Sequence, residues 1–281
     1  MQNFKNWEDL TIADNFIFGG VMVENPDLCC HLLEEIIGFK IEKINYLERE
    51  KSIETRIDSK GIRLDVLART PDGQKYFDIE MQVADEDDLA KRMRYYQSAI
   101  DIDSLEKGNR YHQLAESYII FICHFDPFKQ GRYKYTFRNR CDEDNNLILA
   151  DGATKIVLNT LGKLDDVDGD LLEFLRYTSG KKTDNEFVKK IDIRVDLLKH
   201  SKIWRNDYMR LQQLLYDTYD KGVEQGIEQG IEKGIEQGIE KGKRENTIEM
   251  VKNFLNAGAS VEMIIKATGW TEEQIHEVVN N

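Results

Sequence analysis

Residues 62–82 read Ile-Arg-Leu-Asp-Val-Leu-Ala-Arg-Thr-Pro-Asp-Gly-Gln-Lys-Tyr-Phe-Asp-Ile-Glu-Met-Gln. The centre, Thr70 to Gln74, is turn chemistry: Pro71 presets its own φ, Asp72 bonds to nearby backbone, and Gly73 tolerates a left-handed conformation. Both flanks are apolar stretches of strand composition. On the second flank Phe77, Ile79 and Met81 alternate with Asp78, Glu80 and Gln82, the period of a strand with a core side and a polar side. The stretch is therefore predicted as a β-hairpin. With Asp72 and Gly73 as a two-residue loop, Asp65 falls opposite Glu80 and Val66 opposite Ile79. A three-residue Pro-Asp-Gly loop would slip the register and set Ile62, Leu64 and Val66 against the partner's polar face. Hydrophobic pattern decides register, and it favours the first alignment.

Carboxylates facing each other across a ladder, with Cβ atoms roughly 5 Å apart, repel unless water or a cation separates their charge. On one reading Asp65 and Glu80 are solvated and paired with Arg63 or Arg69, as acids on exposed strands commonly are. On the other they hold a hard divalent cation. The two acids would supply anionic oxygens, and water and phosphate oxygens would complete the shell. Gln82, two residues on and on the same face, would then orient an attacking water. Being neutral, it would not acidify that water as a lysine would.

Outward from the hairpin, residues 14–22 are predicted as a helix. Asp14 is either its N-cap or a further metal ligand. Pro26 opens a second helix that Gly38 closes, and 41–49 reads as a strand. Beyond the hairpin, 85–107 reads as a helix ending at Gly108, and 117–125 as a strand covered on both faces. The order helix, three strands, helix, strand implies an α/β domain. Arg92 and Tyr96, four apart, share a helix face. They either hold a phosphate or are a core tyrosine and its snorkelling neighbour. Further strand-like pieces fill 132–160. Alternation there sets Arg132, Lys134, Arg138 and Arg140 opposite Tyr133, Tyr135 and Phe137, giving a basic ribbon that either tracks a phosphate backbone or is simply solvated.

The chain has 281 residues, 41% of them hydrophobic and 32% charged, enough for a sizeable core under a polar surface. No apolar run approaches the ~20 residues of a membrane span, and the first residues lack a leader's basic start and apolar stretch. Cys29 and Cys30 are adjacent while Cys123 and Cys141 stand alone, which is neither a metal-ligand spacing nor a disulfide framework. A reducing, cytoplasmic setting is expected. The net charge of −13 opposes a polyanionic partner. That objection weakens only if the acids lie away from the contacting face or bound divalent cations reverse the local sign.

Residues 166–220 read as helices. From Gly222 a four-residue repeat follows, Gly-Val-Glu-Gln, Gly-Ile-Glu-Gln, Gly-Ile-Glu-Lys and onward, a period that fits a helix or disorder. Each glycine costs a helix up to ~1 kcal/mol relative to alanine, yet opens a groove where another backbone can approach. The isoleucine stripe drifts in the sense of a right-handed wrap. Self-association and an unpartnered linker are both consistent with it. At the C-terminus Ser260 is a predicted N-cap, Gly269 a C-cap, and Thr271 with Gln274 a capping box. These frame two short helices with helix-turn-helix spacing. The second carries Glu272, Glu273 and Glu277 without Lys or Arg, so it suits packing or a partner better than a major groove.

Several stretches resemble the PD-(D/E)XK nuclease superfamily, and within it the Rpn branch of recombination-promoting nucleases or putative transposases. They are Gly61-Ile-Arg-Leu-Asp-Val66, Phe77-Asp-Ile-Glu-Met-Gln82, Lys91 to Ser98, Gly108 to Leu114, Phe121 to Phe128, Tyr135 to Cys141 and the Gly-Ile-Glu-Lys tail. The resemblance implies a restriction-endonuclease-like αβββαβ core with a helical C-terminal extension. It also implies metal-dependent endonuclease activity on DNA, linked to recombination or transposition, with Mg²⁺ or Mn²⁺ held by Asp65 and Glu80 and 5′-phosphate and 3′-hydroxyl products. Gln82 stands where lysine is commonest, a variant found within this branch. Arg92, Tyr96, Arg132, Lys134, Arg138 and Arg140 are the candidate phosphate contacts. The expected organisation is a nuclease-like domain over 1–162, a helical extension over 163–220, the repeat over 221–244, and a small helical module over 245–281. The repeat helix is the expected homo-oligomer contact. The alternative is an adaptor that binds DNA ends or assembles while retaining the fold, and RNA as substrate would use the same chemistry.

Overall fold

The computed structural model describes residues 5–44, 46–53, 62–85 and 87–280. Met1 to Phe4, Asn45 within the expected first strand, and Gly61 at the head of the first family-like stretch lie outside the described residues. Helix α1 (Asn15–Glu24) is apolar almost all round and buried along most of its length, as a helix in the middle of a layer must be. Helix α2 (Pro26–Ile37) is amphipathic, begins with proline in its first turn, and stops at Gly38 with φ 82°, the left-handed cap read from the sequence.

Strand β1 (Tyr46–Ile53) begins later than its predicted start at 41. Glu34 Oε1 accepts from the Ile41 amide at 2.8 Å, which ties the chain after Gly38 back to α2. Strands β2 (Ile62–Arg69) and β3 (Lys75–Gln82) form the expected hairpin, with Val66 opposite Ile79. Its loop is wider than the two-residue turn expected. The Thr70 amide donates to the Lys75 carbonyl at 3.1 Å and the Gly73 amide to the Thr70 carbonyl at 3.0 Å, so Pro71 to Gln74 make up the connection. Asp72 Oδ1 accepts from Thr70 Oγ and the Gln74 amide, which fixes this shape while leaving the register unchanged.

Helix α3 (Leu89–Ser104) is shorter at both ends than the predicted 85–107. Asp87 takes φ 55°, which delays the start. It crosses to β4 (Glu116–Cys123), which lies parallel to β3. Strand β5 (Lys134–Phe137) and strand β6 (Ala153–Asn159) complete a six-stranded sheet of order β1-β2-β3-β4-β6-β5. Residues paired across a ladder share a face. Arg49, Val66 and Ile79 are one such row, and Arg49 lies against Phe16 of α1. Leu67, Asp78 and Ile119 are another, on the side where Leu67 and Ile119 pack with Met93 and Ile100 of α3. The two helices thus cover opposite faces, and β3, expected to have one polar side, is buried on both from Phe77 to Gln82.

Helices α4 (Gly169–Thr178) and α5 (Glu186–His200) pack with α1 and α2. Helix α6 (Lys202–Asn256) contains the whole four-residue repeat, and α7 (Val261–Thr268) and α8 (Glu272–Asn280) follow. The chain divides into two compact units, Met1–Met209 and Arg210–Asn281. The first holds the sheet. The second has a small core of Val251, Ile264 and Ile275 with Trp270 and Val278 against it. There Gly269 takes φ 72° as the C-cap of α7, and Thr271 and Gln274 exchange capping bonds at 3.0 and 3.4 Å. No helix among the described residues is long and apolar enough to cross a membrane.

Candidate active site

The β2–β3 ladder is regular from Arg69↔Tyr76 to Val66↔Ile79 and then changes character. At the next step the Asp65 amide donates to Glu80 Oε1 at 2.8 Å, and the Met81 amide donates to Asp65 Oδ2 at 3.0 Å. Carboxylate oxygens have taken the places that carbonyls hold in an ordinary ladder. Ile62 and Leu64 join the same cluster as Leu67, so the alternation of β2 changes phase around Asp65. Across the other ladder, Glu50 sits between Arg49 and Lys51, the partners of Val66 and Leu64, and takes φ 56°. A left-handed glutamate inside a strand is strained, and such strain collects at functional positions.

Asp65 and Glu80 are 7% and 4% exposed, which overturns the solvated reading of the pair. Burial raises the Asp65 carboxyl above its ordinary range, opposed by the Met81 amide and then by Asn15, whose side chain donates to Oδ1 at 3.3 Å. Glu80 is pushed well above its ordinary range by burial, and then by the charges of Asp78 and Asp65. Asp78, two residues before Glu80 and on the same face, is fully buried and its oxygens meet no donor. Burial and the Asp65 charge raise it strongly, and Glu80 beside it is the group with which it can share a proton. Three acids thus crowd one buried patch.

Asp65 and Glu80 open into a cleft of about 650 Å³ with Asn15, Arg63, Gln82, Lys91, Arg92 and Arg94 on its walls. Gln82 Nε2 donates to the Ala84 carbonyl at 2.5 Å, and its Oε1 accepts from Arg92 Nη1 at 2.8 Å. Arg92 lies one turn into α3, over the rings of Phe121 and Tyr96. Tyr96 is half-buried against Phe121, so the core role and the place beside Arg92 coexist. Asp14 accepts from the Thr11 amide at 2.8 Å and pairs with Lys5 at 2.7 Å, with no cap bond to its own helix. Its neighbour Asn15 is the α1 residue that reaches the acids. Nothing in the sequence distinguished Asn15, whereas the place of Asp78 was visible in the hexamer.

The basic ribbon is dispersed. Only Lys134 of its four cations lies in β5, at the sheet edge separated from β3 by β4 and β6. Lys134 donates to the Ile36 carbonyl, Arg132 pairs with Asp166 at 3.7 Å, and Arg140 donates to the Asn145 carbonyl at 2.6 Å. Arg138 is exposed. None of the four lines the cleft that holds Asp65 and Glu80.

A profile of PD-(D/E)XK nuclease family transposases matches residues 15–160, just over half of the 281-residue chain. The chain belongs to that family. No curated protein matches it. The stretch matched to the nuclease family transposases starts at Asn15 and takes in all six strands, Asp65, Glu80 and the cleft. Nucleases of this family imply a divalent metal, and the donor set suits a hard one. Asp65 Oδ2 and Glu80 Oε1 are each oriented by a backbone amide, and both oxygens of the neighbouring buried Asp78 meet no hydrogen-bond donor. Among the described residues no three acidic, histidine or cysteine side chains surround a common point. A cation here would take the two carboxylates and complete its shell with water and phosphate oxygen, which Mg²⁺ tolerates well.

Proposed function

We propose that this nuclease-family protein is a metal-dependent DNA endonuclease linked to recombination or transposition, working with Mg²⁺ or Mn²⁺. With α2 inserted after α1, the order α1, α2, β1, β2, β3, α3, β4 is read as the αβββαβ core of restriction-endonuclease-like folds carrying one additional helix. The observation that carries the proposal is the interlock of Asp65 and Glu80 at the floor of a cleft walled by Arg63, Lys91, Arg92 and Arg94. Those cations answer the objection from net charge, because the contacting face is basic around an acidic floor.

Asp65 and Glu80 would hold the ion. Bound there, it would acidify a water for attack on phosphorus and offset charge on the leaving oxygen. Gln82 Oε1 keeps a second lone pair beyond the one given to Arg92 and can align that water. Arg132, Lys134, Arg138 and Arg140, all outside the cleft, would meet flanking DNA away from the chemistry. The exposed isoleucines of α6 are assigned to contact with a second copy.

The competing reading, an adaptor that holds DNA ends without turnover, draws on Gln82 being engaged at both ends of its amide. Supercoiled plasmid separates the two. The endonuclease nicks it with Mg²⁺ or Mn²⁺ and not with EDTA, and Asp65→Ala and Glu80→Ala are each inactive. Nicking that survives both substitutions removes this site. A folded wild type that binds plasmid and never nicks it is the adaptor.

A further inference from the structure

Gln82 stands where a lysine ammonium is the commonest choice, and the cleft contains a cation held at that point by Gln82 itself. Arg92 Nη1 donates to Gln82 Oε1 at 2.8 Å, while Gln82 Nε2 is anchored on the Ala84 carbonyl at 2.5 Å. The guanidinium carbon lies 5.4 Å from the Phe121 ring centre and 5.7 Å from that of Tyr96. Nη2 donates to the Tyr96 hydroxyl at 3.4 Å. One helical turn of α3 delivers both residues, because Arg92 and Tyr96 are four apart. An arginine gripped by an amide and two ring faces has lost much of its rotamer freedom before any substrate arrives, which lowers the ordering cost of a contact.

We propose that Arg92 takes the place of the missing lysine. Its guanidinium contacts the scissile phosphate beside the two carboxylates, and Gln82 is the positioning residue that holds it there. The inference rests on the nuclease reading above. The planar fork of arginine matches phosphate oxygens in a way an ammonium does not. Water attacks phosphorus and the P–O3′ bond breaks. The water's proton passes to solvent, and the 3′-oxygen takes one from solvent. Arg92 donates hydrogen bonds to non-bridging oxygens and keeps its protons throughout, since guanidinium does not deprotonate in proteins.

The experiment uses the full chain and a fluorescein-labelled duplex, first in Ca²⁺ for binding and then in Mg²⁺ for single-turnover cleavage. Arg92→Met, which can still pack on Tyr96 and Phe121, should flatten the slope of log Kd against log salt by about 0.9, the loss of one phosphate contact. Arg92→Lys should keep the slope and lose cleavage rate on the order of 100-fold, as a group acting in the transition state does. Gln82→Met should slow cleavage, and the double substitution should fall short of the product of the two single effects, because the two side chains act in part through one shared hydrogen bond. Equal salt slopes for wild type and a folded Arg92→Met, full activity in Arg92→Lys, or multiplying effects in the double variant overturn the proposal. A wild type that binds without cutting defeats the nuclease reading instead, and the salt slopes then still decide whether Arg92 meets phosphate. A wild type that does not bind DNA overturns both.

Discussion

Asp65 gives its backbone N–H to the Glu80 carboxylate at 2.8 Å, and its own carboxylate takes the N–H of the residue after Glu80 at 3.0 Å. The backbone thereby aims one oxygen of each acid, and negative charge remains for a cation to neutralise. Asp65→Asn and Glu80→Gln keep the volume and the amide-accepting oxygen while removing that charge. Isothermal titration should find Mn²⁺ or Mg²⁺ affinity weakened at least about 100-fold in each, more than the loss of an outer-shell partner. Metal-free Tm should stay level or rise, because a buried charge has gone. Unchanged metal uptake in either variant would place the ion elsewhere.

Asp78, Glu80 and Asp65 together should make the stability of the metal-free protein depend on pH. Burial and neighbouring acids raise Asp78 and Glu80 well above their ordinary values, and burial raises Asp65. The folded state therefore keeps protons that the unfolded chain has released. The corresponding stability is complete below the ordinary carboxylate value of ~4 and is lost as pH climbs through the raised folded-state values. Without metal, Tm should fall on going from acidic to alkaline buffer within the range where the fold persists. Mg²⁺ should restore more of it at high pH by binding the ionised form. Asp78→Asn removes a buried carboxyl whose oxygens meet no donor, so calorimetry at pH 8 should show a gain of about 1–3 kcal/mol and a flatter profile. A variant less stable than wild type at that pH would mean that Asp78 has a partner in solution.

Much of this architecture was legible because it depends on local pattern. Turn residues at 70–74 and the alternation of Phe77 to Gln82 were enough for the hairpin register and for the juxtaposition of Asp65 with Glu80. Gly38 and Gly269 were readable as caps for a reason equally local, the left-handed φ that glycine adopts without strain. The width of the turn escaped because Asp72 serves a four-residue loop as readily as a two-residue one. The start of β1 depends on a bond from Ile41 to Glu34 of α2, which the strand's own pattern does not contain. Asn15 and the Gln82–Arg92 bond arise where separate elements converge, and periodicity carries no information about which helix end meets which strand. The strand expected beneath the basic ribbon came out shorter for the opposite reason. Alternation implied a strand from 132 to 140, but the ladder with β6 supports only Lys134 to Phe137, and Arg132 and Arg140 turn to partners of their own.

Gly19 marks the close approach of α1 to the acid strand. A Cβ there would lie 2.7 Å from Arg49 Cγ and 3.3 Å from the Asp65 carbonyl oxygen, and Arg49 is confined between the rings of Phe16 and Trp204 at 4.3 and 4.6 Å. Gly19→Ala should cost about 1–3 kcal/mol from overpacking, partly offset by alanine's better helix propensity. It should also weaken metal uptake by displacing Asp65. Gly20→Ala is the control, since the three heavy atoms nearest its Cβ would be Leu198 Cδ1 at 2.6 Å and two ring carbons of Trp204 at 3.2 Å. Loss of stability in both, with loss of metal affinity only at Gly19, is the expected result. Equal metal binding in the two variants would show that α1 does not set the position of Asp65.

The repeat in α6 offers the sharpest contrast between intrinsic helix stability and association. The glycines from Gly222 to Gly242 have no atom within 4 Å of an added Cβ, and Val223, Ile227, Ile231, Ile235 and Ile239 beside them are exposed. For an isolated helix, replacing Gly226, Gly230 and Gly234 together by alanine should raise stability by about 1 kcal/mol per site. For a helix that pairs with a second copy along the glycine groove, the same methyl groups hold the backbones apart. The triple alanine variant should therefore melt its helix at a higher temperature by circular dichroism while sedimentation shows its mass shifting toward the monomer. A higher melting temperature with unchanged mass would mean that the glycines serve no contact between copies, and the isoleucine stripe would then lack the partner assigned to it.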